Sequence, residues 1–241
     1  WTNINGFIIS GNSVIENNTA VNGGGVFYQG DSSSNMTISE SARISGNTAT
    51  GNGGGIYFKN KGTLTMNGGS ITGNTATGDG GGVYFGGDIF SISGGVEINS
   101  NTKNSANNNV YLPTNKSITI AGALTGSNPI GVTTEKTPDA SNYVRIASGS
   151  KNYAAPEKFS YENDSTPVSA TSQNNSTADL VVCQHNWNST WRSDSYSHWH
   201  DCSICKGKGD MAAHTYDQQV KTKAYEKSSA TSTSSKLKAS P

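Results

Sequence analysis

One phrase recurs along this chain and constrains its fold more than any composition could. Ile71-Thr72-Gly73-Asn74-Thr75-Ala76-Thr77 leads into Gly80-Gly81-Gly82-Val83-Tyr84-Phe85. Nearly the same words occur as Ile44 to Thr50 followed by Gly53-Gly54-Gly55-Ile56-Tyr57-Phe58. A looser copy runs from Ile15 through Asn18-Thr19-Ala20 to Gly23-Gly24-Gly25-Val26-Phe27-Tyr28, and a decayed one from Ile98 through Asn101-Thr102 to Asn109-Val110-Tyr111-Leu112. The equivalent isoleucines Ile15, Ile44, Ile71 and Ile98 are spaced by 29, 27 and 27 residues. A fixed long period describes a stack of equivalent units, each unable to bury its apolar face alone.

Each unit contains three short extended segments. The first is Val26-Phe27-Tyr28, Ile56-Tyr57-Phe58, Val83-Tyr84-Phe85 and Val110-Tyr111-Leu112. The second is Met36-Thr37-Ile38, Leu64-Thr65-Met66, Phe90-Ser91-Ile92 and Ile118-Thr119-Ile120, preceded by Phe7-Ile8-Ile9; the third centres on the four isoleucines. Apolar residues flanking a Thr or Ser make a half-buried strand with its middle side chain in water. Gly- and Asn-rich stretches between segments supply corners. Three strands and three turns in about 27 residues is the size of one coil of a parallel β-helix, with successive coils roughly 4.8 Å apart. The expected fold is therefore all-β, a right-handed parallel β-helix over residues 1–182. Residues 1–125 would be regular coils and 126–182 irregular terminal coils, with the polar stretch from Ser165 to Thr177 a surface loop.

Composition agrees with a solenoid. Only 32% of the 241 residues are hydrophobic, 14% are charged and the formal net charge is zero. A solenoid needs only a thin inward stripe per turn, so a polar chain can still have a continuous core. The neutral balance gives nucleic acid no electrostatic footing. No apolar run is long enough to insert into a membrane as a helix. The chain opens at Trp1 partway through a repeat, which predicts further sequence upstream.

Two rows of side chains follow from the period. Asn18, Asn47, Asn74 and Asn101 each stand three residues after the inward isoleucine, a structural ladder of amides at one corner. Phe27, Tyr57, Tyr84 and Tyr111 occupy the middle of the first strand and should point outward. Such a row is a candidate platform for sugar rings, or a stack that shields the strands. A third row, Thr37, Thr65 and Thr119, is one residue wide and interrupted by Ser91, too narrow for a flat ice-binding face.

The pattern Ile-x-x-Asn, then Ala, then Gly-Gly-Gly-Ile/Val resembles the paired FxxN and GGA(I/V/L) repeats of the polymorphic outer-membrane-protein family, and equally the right-handed β-helix repeats of many secreted bacterial surface proteins. Ile stands where that family often has Phe, and Gly where it often has Ala. The resemblance covers about residues 1–125. It implies an adhesin-like protein, extracellular or attached to a bacterial cell surface.

Between Cys183 and His214 the composition changes. All four histidines, all three cysteines and three of the four tryptophans fall in this interval. Its centre is His198-Trp199-His200-Asp201-Cys202-Ser203-Ile204-Cys205. A Cys-x-x-Cys knuckle places two sulfurs on one ion, and two more ligands drawn from Cys183, His185, His200 and His214 would close a tetrahedral zinc site. In an extended segment His198, His200 and Cys202 would share one face. A disulfide between Cys202 and Cys205, or from Cys183 to one of them, is the other reading of the same residues. The interval resembles a small HWHxCxxC…AAH module found at the ends of surface proteins of gut bacteria. A module spanning 183–218 and a Lys-, Ser- and Thr-rich linker over 219–241 complete the expected organisation.

These features favour a non-catalytic extracellular protein that binds glycans or host or matrix surfaces, or serves as a stalk. The alternative is a polysaccharide lyase or glycoside hydrolase, since β-helices host both. Fold alone does not decide between them. A glycosidase needs paired carboxylates in one cleft, and a lyase an acidic calcium cluster with a basic partner. In the repeats Glu16, Asp31, Glu40, Asp79, Asp88 and Glu97 fall mostly at different points of the unit, and Arg43 is the only arginine.

Overall fold

The structure is a computed structural model that describes residues 6–164, 166–172, 176–206 and 208–213. Two compact units are distinguished, Trp1–His185 and Asn186–Pro241. The first is a parallel β-solenoid of about six turns. One of its sheets holds Val26–Tyr28, Ile56–Phe58, Val83–Phe85, Val110–Leu112, Ile130–Thr134 and Phe159–Tyr161, all parallel. A second stacks Val14–Glu16, Arg43–Ser45, Ser70–Thr72 and Glu97–Asn99. The longest runs Phe7–Ile9, Asn35–Ile38, Thr63–Met66, Ile89–Gly94, Ile118–Leu124 and Val144–Ser150 in parallel.

Equivalent repeat residues pair directly: Ile71 lies between Ile44 and Ile98, and Tyr84 between Tyr57 and Tyr111. The alternation read in the sequence sets which side faces in. Leu64, Met66, Phe90 and Ile92 are fully buried while Thr65 and Ser91 between them reach solvent. Inside, Tyr28, Phe58, Phe85 and Phe90 stack at ring-centroid separations of 4.7, 5.4 and 5.2 Å. Each buried Ile, Leu or Phe contributes about 1.5–3 kcal/mol over an exposed one.

Two details differ from the sequence reading. Each regular coil carries a fourth ladder of two-residue strands, Thr19–Ala20, Thr48–Ala49, Thr75–Ala76 and Thr102–Lys103. The pair after the corner asparagine is too short to show an alternation, yet Ala49 and Ala76 are buried and their threonines exposed. The stretch read as a loop between Ser165 and Thr177 contains the strand Val168–Ser172. It pairs antiparallel with Thr177–Val182, which pairs antiparallel with Val144–Ser150. A sheet-edge strand has one free side, so polar residues suit it.

The three consecutive glycines of a repeat have three separate causes, seen at Gly53 to Gly55. Gly53 turns the chain at φ 67°, a left-handed conformation that disfavours a Cβ. A Cβ on Gly54 would stand 2.5 Å from the Thr75 carbonyl oxygen of the next coil. One on Gly55 would press Ile71 at 2.9 Å and the Asn74 amide at 3.1 Å.

The second unit is a three-stranded antiparallel sheet of Trp187–Ser193, Ser197–Cys202 and Lys208–Ala213. The tail read as a linker over 219–241 lies outside the described residues.

Candidate metal centre

Cys183-Gln184-His185 leaves the strand Thr177–Val182, and Asn186 follows at once. The Asn186 carbonyl accepts from the Ser203 backbone N–H at 2.9 Å and from its hydroxyl at 3.1 Å. Ser203 sits inside the Cys202-Ser203-Ile204-Cys205 knuckle. The Lys206 N–H closes that turn onto the Cys202 carbonyl at 3.0 Å, with Lys206 in the left-handed region at φ 61°. One ligand atom from each of Cys183, His185, Cys202 and Cys205 lies within 4.8 Å of all the others. The three cysteines are buried, the histidine partly so, and no disulfide joins them. This Cys/His group could hold a metal ion.

The donor set fits such an ion. Three thiolates and an imidazole are ligands that soft or borderline cations choose. Bonds of about 2.1–2.3 Å in a tetrahedron imply ligand separations of about 3.5–3.8 Å, inside the 4.8 Å that bounds the group. His185 also has a second partner: its Nε2 lies 3.2 Å from the Ser169 hydroxyl.

The other candidate ligands go elsewhere. His200 does not join the group, although it shares a strand with Cys202. Its Nδ1 lies 2.6 Å from the Asn188 carbonyl oxygen, and its ring packs on Trp191 at 3.8 Å between centroids. His198 meets the same tryptophan edge-on at 4.8 Å. Register explains the separation, because Trp191 pairs with His200 whereas Cys202 pairs with Trp187. His214 lies outside the described residues.

The two rows of the solenoid are built as follows. Asn18 donates through its backbone and side-chain N–H groups to the Asn47 Oδ1, both at 3.0 Å. Asn47 does the same to Asn74, and Asn74 to Asn101. The bonds from asparagine to asparagine all run the same way along the stack, while the Nδ2 groups of Asn47, Asn74 and Asn101 also donate to the carbonyls of Ile15, Ile44 and Ile71 in the preceding coil. The next acceptor is the Asn109 side chain, and Asn109 donates in turn to both oxygens of Glu162, at 2.7 Å from N and 2.6 Å from Nδ2. Burial pushes the Glu162 carboxyl above its ordinary range, against the pull of those two hydrogen bonds. A Cβ on Gly131 would collide with that carboxylate, so glycine there keeps its seat open.

Neither Asn109 nor Glu162 is evident from the period. The available signal is Asn107-Asn108-Asn109 standing where earlier units have three glycines. Where the following coil supplies a corner asparagine, the third position must be empty. Where it supplies none, Asn109 fills the space with its own amide.

Phe27, Tyr57, Tyr84 and Tyr111 stack on the outside with centroids 5.5, 4.8 and 5.3 Å apart. Tyr84 and Tyr111 are stacked at an interplanar angle of 25°, while the other two pairs are tilted at 42° and 50°. Phe27 is the most open at 46% exposure, with the Lys59 ammonium 6.0 Å from its ring centroid. At the other end burial, with the Asp79 and Glu135 carboxylates nearby, pushes the Tyr111 phenol up to about 12. No family model matches the chain, and no curated protein or solved structure matches it either.

Proposed function

We propose that this chain is a non-catalytic extracellular scaffold, adhesin-like or a stalk, whose Cys/His group holds one structural zinc ion. One observation carries the zinc. Among the described side chains of the second unit, Cys202 and Cys205 alone are buried. Among its described residues the sheet has no apolar core, and domains below about 40 residues generally need a metal, a disulfide or oligomerisation. A disulfide would use two of the three clustered sulfurs, whereas a tetrahedral ion uses all three and the imidazole.

The scaffold reading is supported by what the solenoid's acids do. Glu16 pairs with Arg43, Glu40 accepts from the Gly11 N–H, Asp79 pairs with Lys103 and Asp88 accepts from the Gly62 N–H. Glu97 accepts from Ser127 and Asn128, and Glu135 from Thr114. Each of these six carboxylates is committed to a corner or a neighbouring coil. The lyase or glycosidase alternative would need two of them facing one substrate. A glycan or a host or matrix surface is the ligand class assigned to this scaffold, with the aromatic row as its contact.

The zinc test is metal and thiol analysis of the full chain purified under reducing conditions. One zinc per chain and three titratable thiols after denaturation in chelator are expected. No zinc and a single thiol would replace the ion with a disulfide. For the ligand, Tyr57→Ala/Tyr84→Ala should lower binding in a glycan and matrix-protein screen; unchanged binding removes the row from the reading.

A further inference from the structure

We infer that Ser169 is a positioning residue for the metal: it holds the His185 Nε2–H, so that the ion is bound through Nδ1. This inference rests on the zinc reading above. An imidazole offers a metal one nitrogen, and the other N–H is normally given to a hydroxyl, carbonyl or carboxylate that fixes tautomer and ring orientation. At His185 the Nε2 faces the Ser169 Oγ at 3.2 Å. The hydroxyl accepts that proton, which leaves Nδ1 as the nitrogen for the ion.

The position of Ser169 makes the contact more than local. It lies on Val168–Ser172, the outermost strand of the eight-stranded sheet, directly opposite Val181. Val181 is two residues before Cys183, itself a member of the group. The ion would therefore take two ligands from the chain leaving the inner strand, while Ser169 links one of them to the outer strand. Ser169 thus ties the ligand-bearing segment to a strand pair already held by its backbone bonds and by Val168, Leu180 and Val182 on the core.

The test uses the full chain loaded with zinc. Side-chain 15N shifts of His185 report which nitrogen is coordinated, and chelator competition gives the affinity. Nδ1 coordination is expected, with a 10–100-fold weaker affinity in Ser169→Ala at unchanged stoichiometry and recovery in Ser169→Thr, in line with about 10–100-fold effects of such partners elsewhere. Coordination through Nε2 in the wild type, or an unchanged affinity in Ser169→Ala, overturns the inference and leaves the zinc reading standing. Absence of zinc from the wild-type chain overturns both. The nitrogen assignment needs no variant, so it holds even if Ser169→Ala misfolds.

Discussion

The regular coils and the C-terminal sheet solve the same problem by opposite means. In the coils every inward residue meets its own equivalent above and below, so cohesion is spread over many similar contacts. In the sheet Trp187–Ala213 the described side chains are exposed or half-buried, and full burial is confined to Cys202 and Cys205. Distributed cohesion tolerates a single loss within one coil. Concentrated cohesion does not, because one ligand is a large share of the whole.

The largest expected effect is at that concentrated point. Cys202→Ser should abolish amide-exchange protection across the C-terminal sheet while protection from Ile44 to Phe85 stays unchanged. The expected cost is on the order of 5 kcal/mol, a part of the roughly 10–16 kcal/mol that structural zinc supplies to small domains. Protection lost equally in both regions would dissolve the contrast.

Within the solenoid, Asn74→Ala should cost about 2–4 kcal/mol, because it orphans the buried Asn47 backbone N–H and removes the Nδ2 donor from the Ile44 carbonyl, while Asn47 Nδ2 keeps the Ile15 carbonyl. Asn18→Ala, at the exposed end of the same ladder, should cost less than about 1 kcal/mol. Urea unfolding of the pair measures both, and equal values would mean the ladder carries no cumulative order.

A small effect that varies with pH is expected at the ladder's acceptor end. Glu162→Gln puts a donor in front of Asn109 and should cost about 1 kcal/mol at neutral pH. Burial raises the Glu162 carboxyl above its ordinary 4.5, so the folded chain holds that proton more tightly than the unfolded one. Its contribution to folding is therefore fully present below pH 4.5 and fades as the pH climbs through the raised value. Wild type should gain on Glu162→Gln as the pH falls toward 4.5; a difference independent of pH would place the carboxylate in water.

The fold could be read from the sequence because stacking writes itself as a period. Ile44, Ile71 and Ile98 recur since each rests on the last, and Leu64-Thr65-Met66 alternates since one face is wet. The Thr-Ala ladder was hidden by its length, two residues being too few to display an alternation. Asn109 and Glu162 were hidden for another reason. They stand where the repetition stops, so no period points to them, and Glu162 reaches Asn109 across 53 positions of sequence. Of the six residues that spacing nominated for a metal, Cys183, His185, Cys202 and Cys205 come together. His200 illustrates the limit, since strand register rather than proximity in sequence turned it toward Trp191.

The one-way amide ladder also sets a rule for changing the length of the molecule. Removing the 27 residues from Ile44 through Ser70 would bring Ile71 onto Ile15 and offer the Asn74 oxygen to the Asn18 donors in place of Asn47's. The same removal from the other side leaves Asn101 and the Glu162 terminus untouched. A one-residue slip inside a strand would turn that strand's side chains to the wrong face, whereas the coils of 29 and 27 residues show that corners absorb a difference in length. Lengthening or shortening by whole coils keeps every strand in register, with the same end piece serving solenoids of different height.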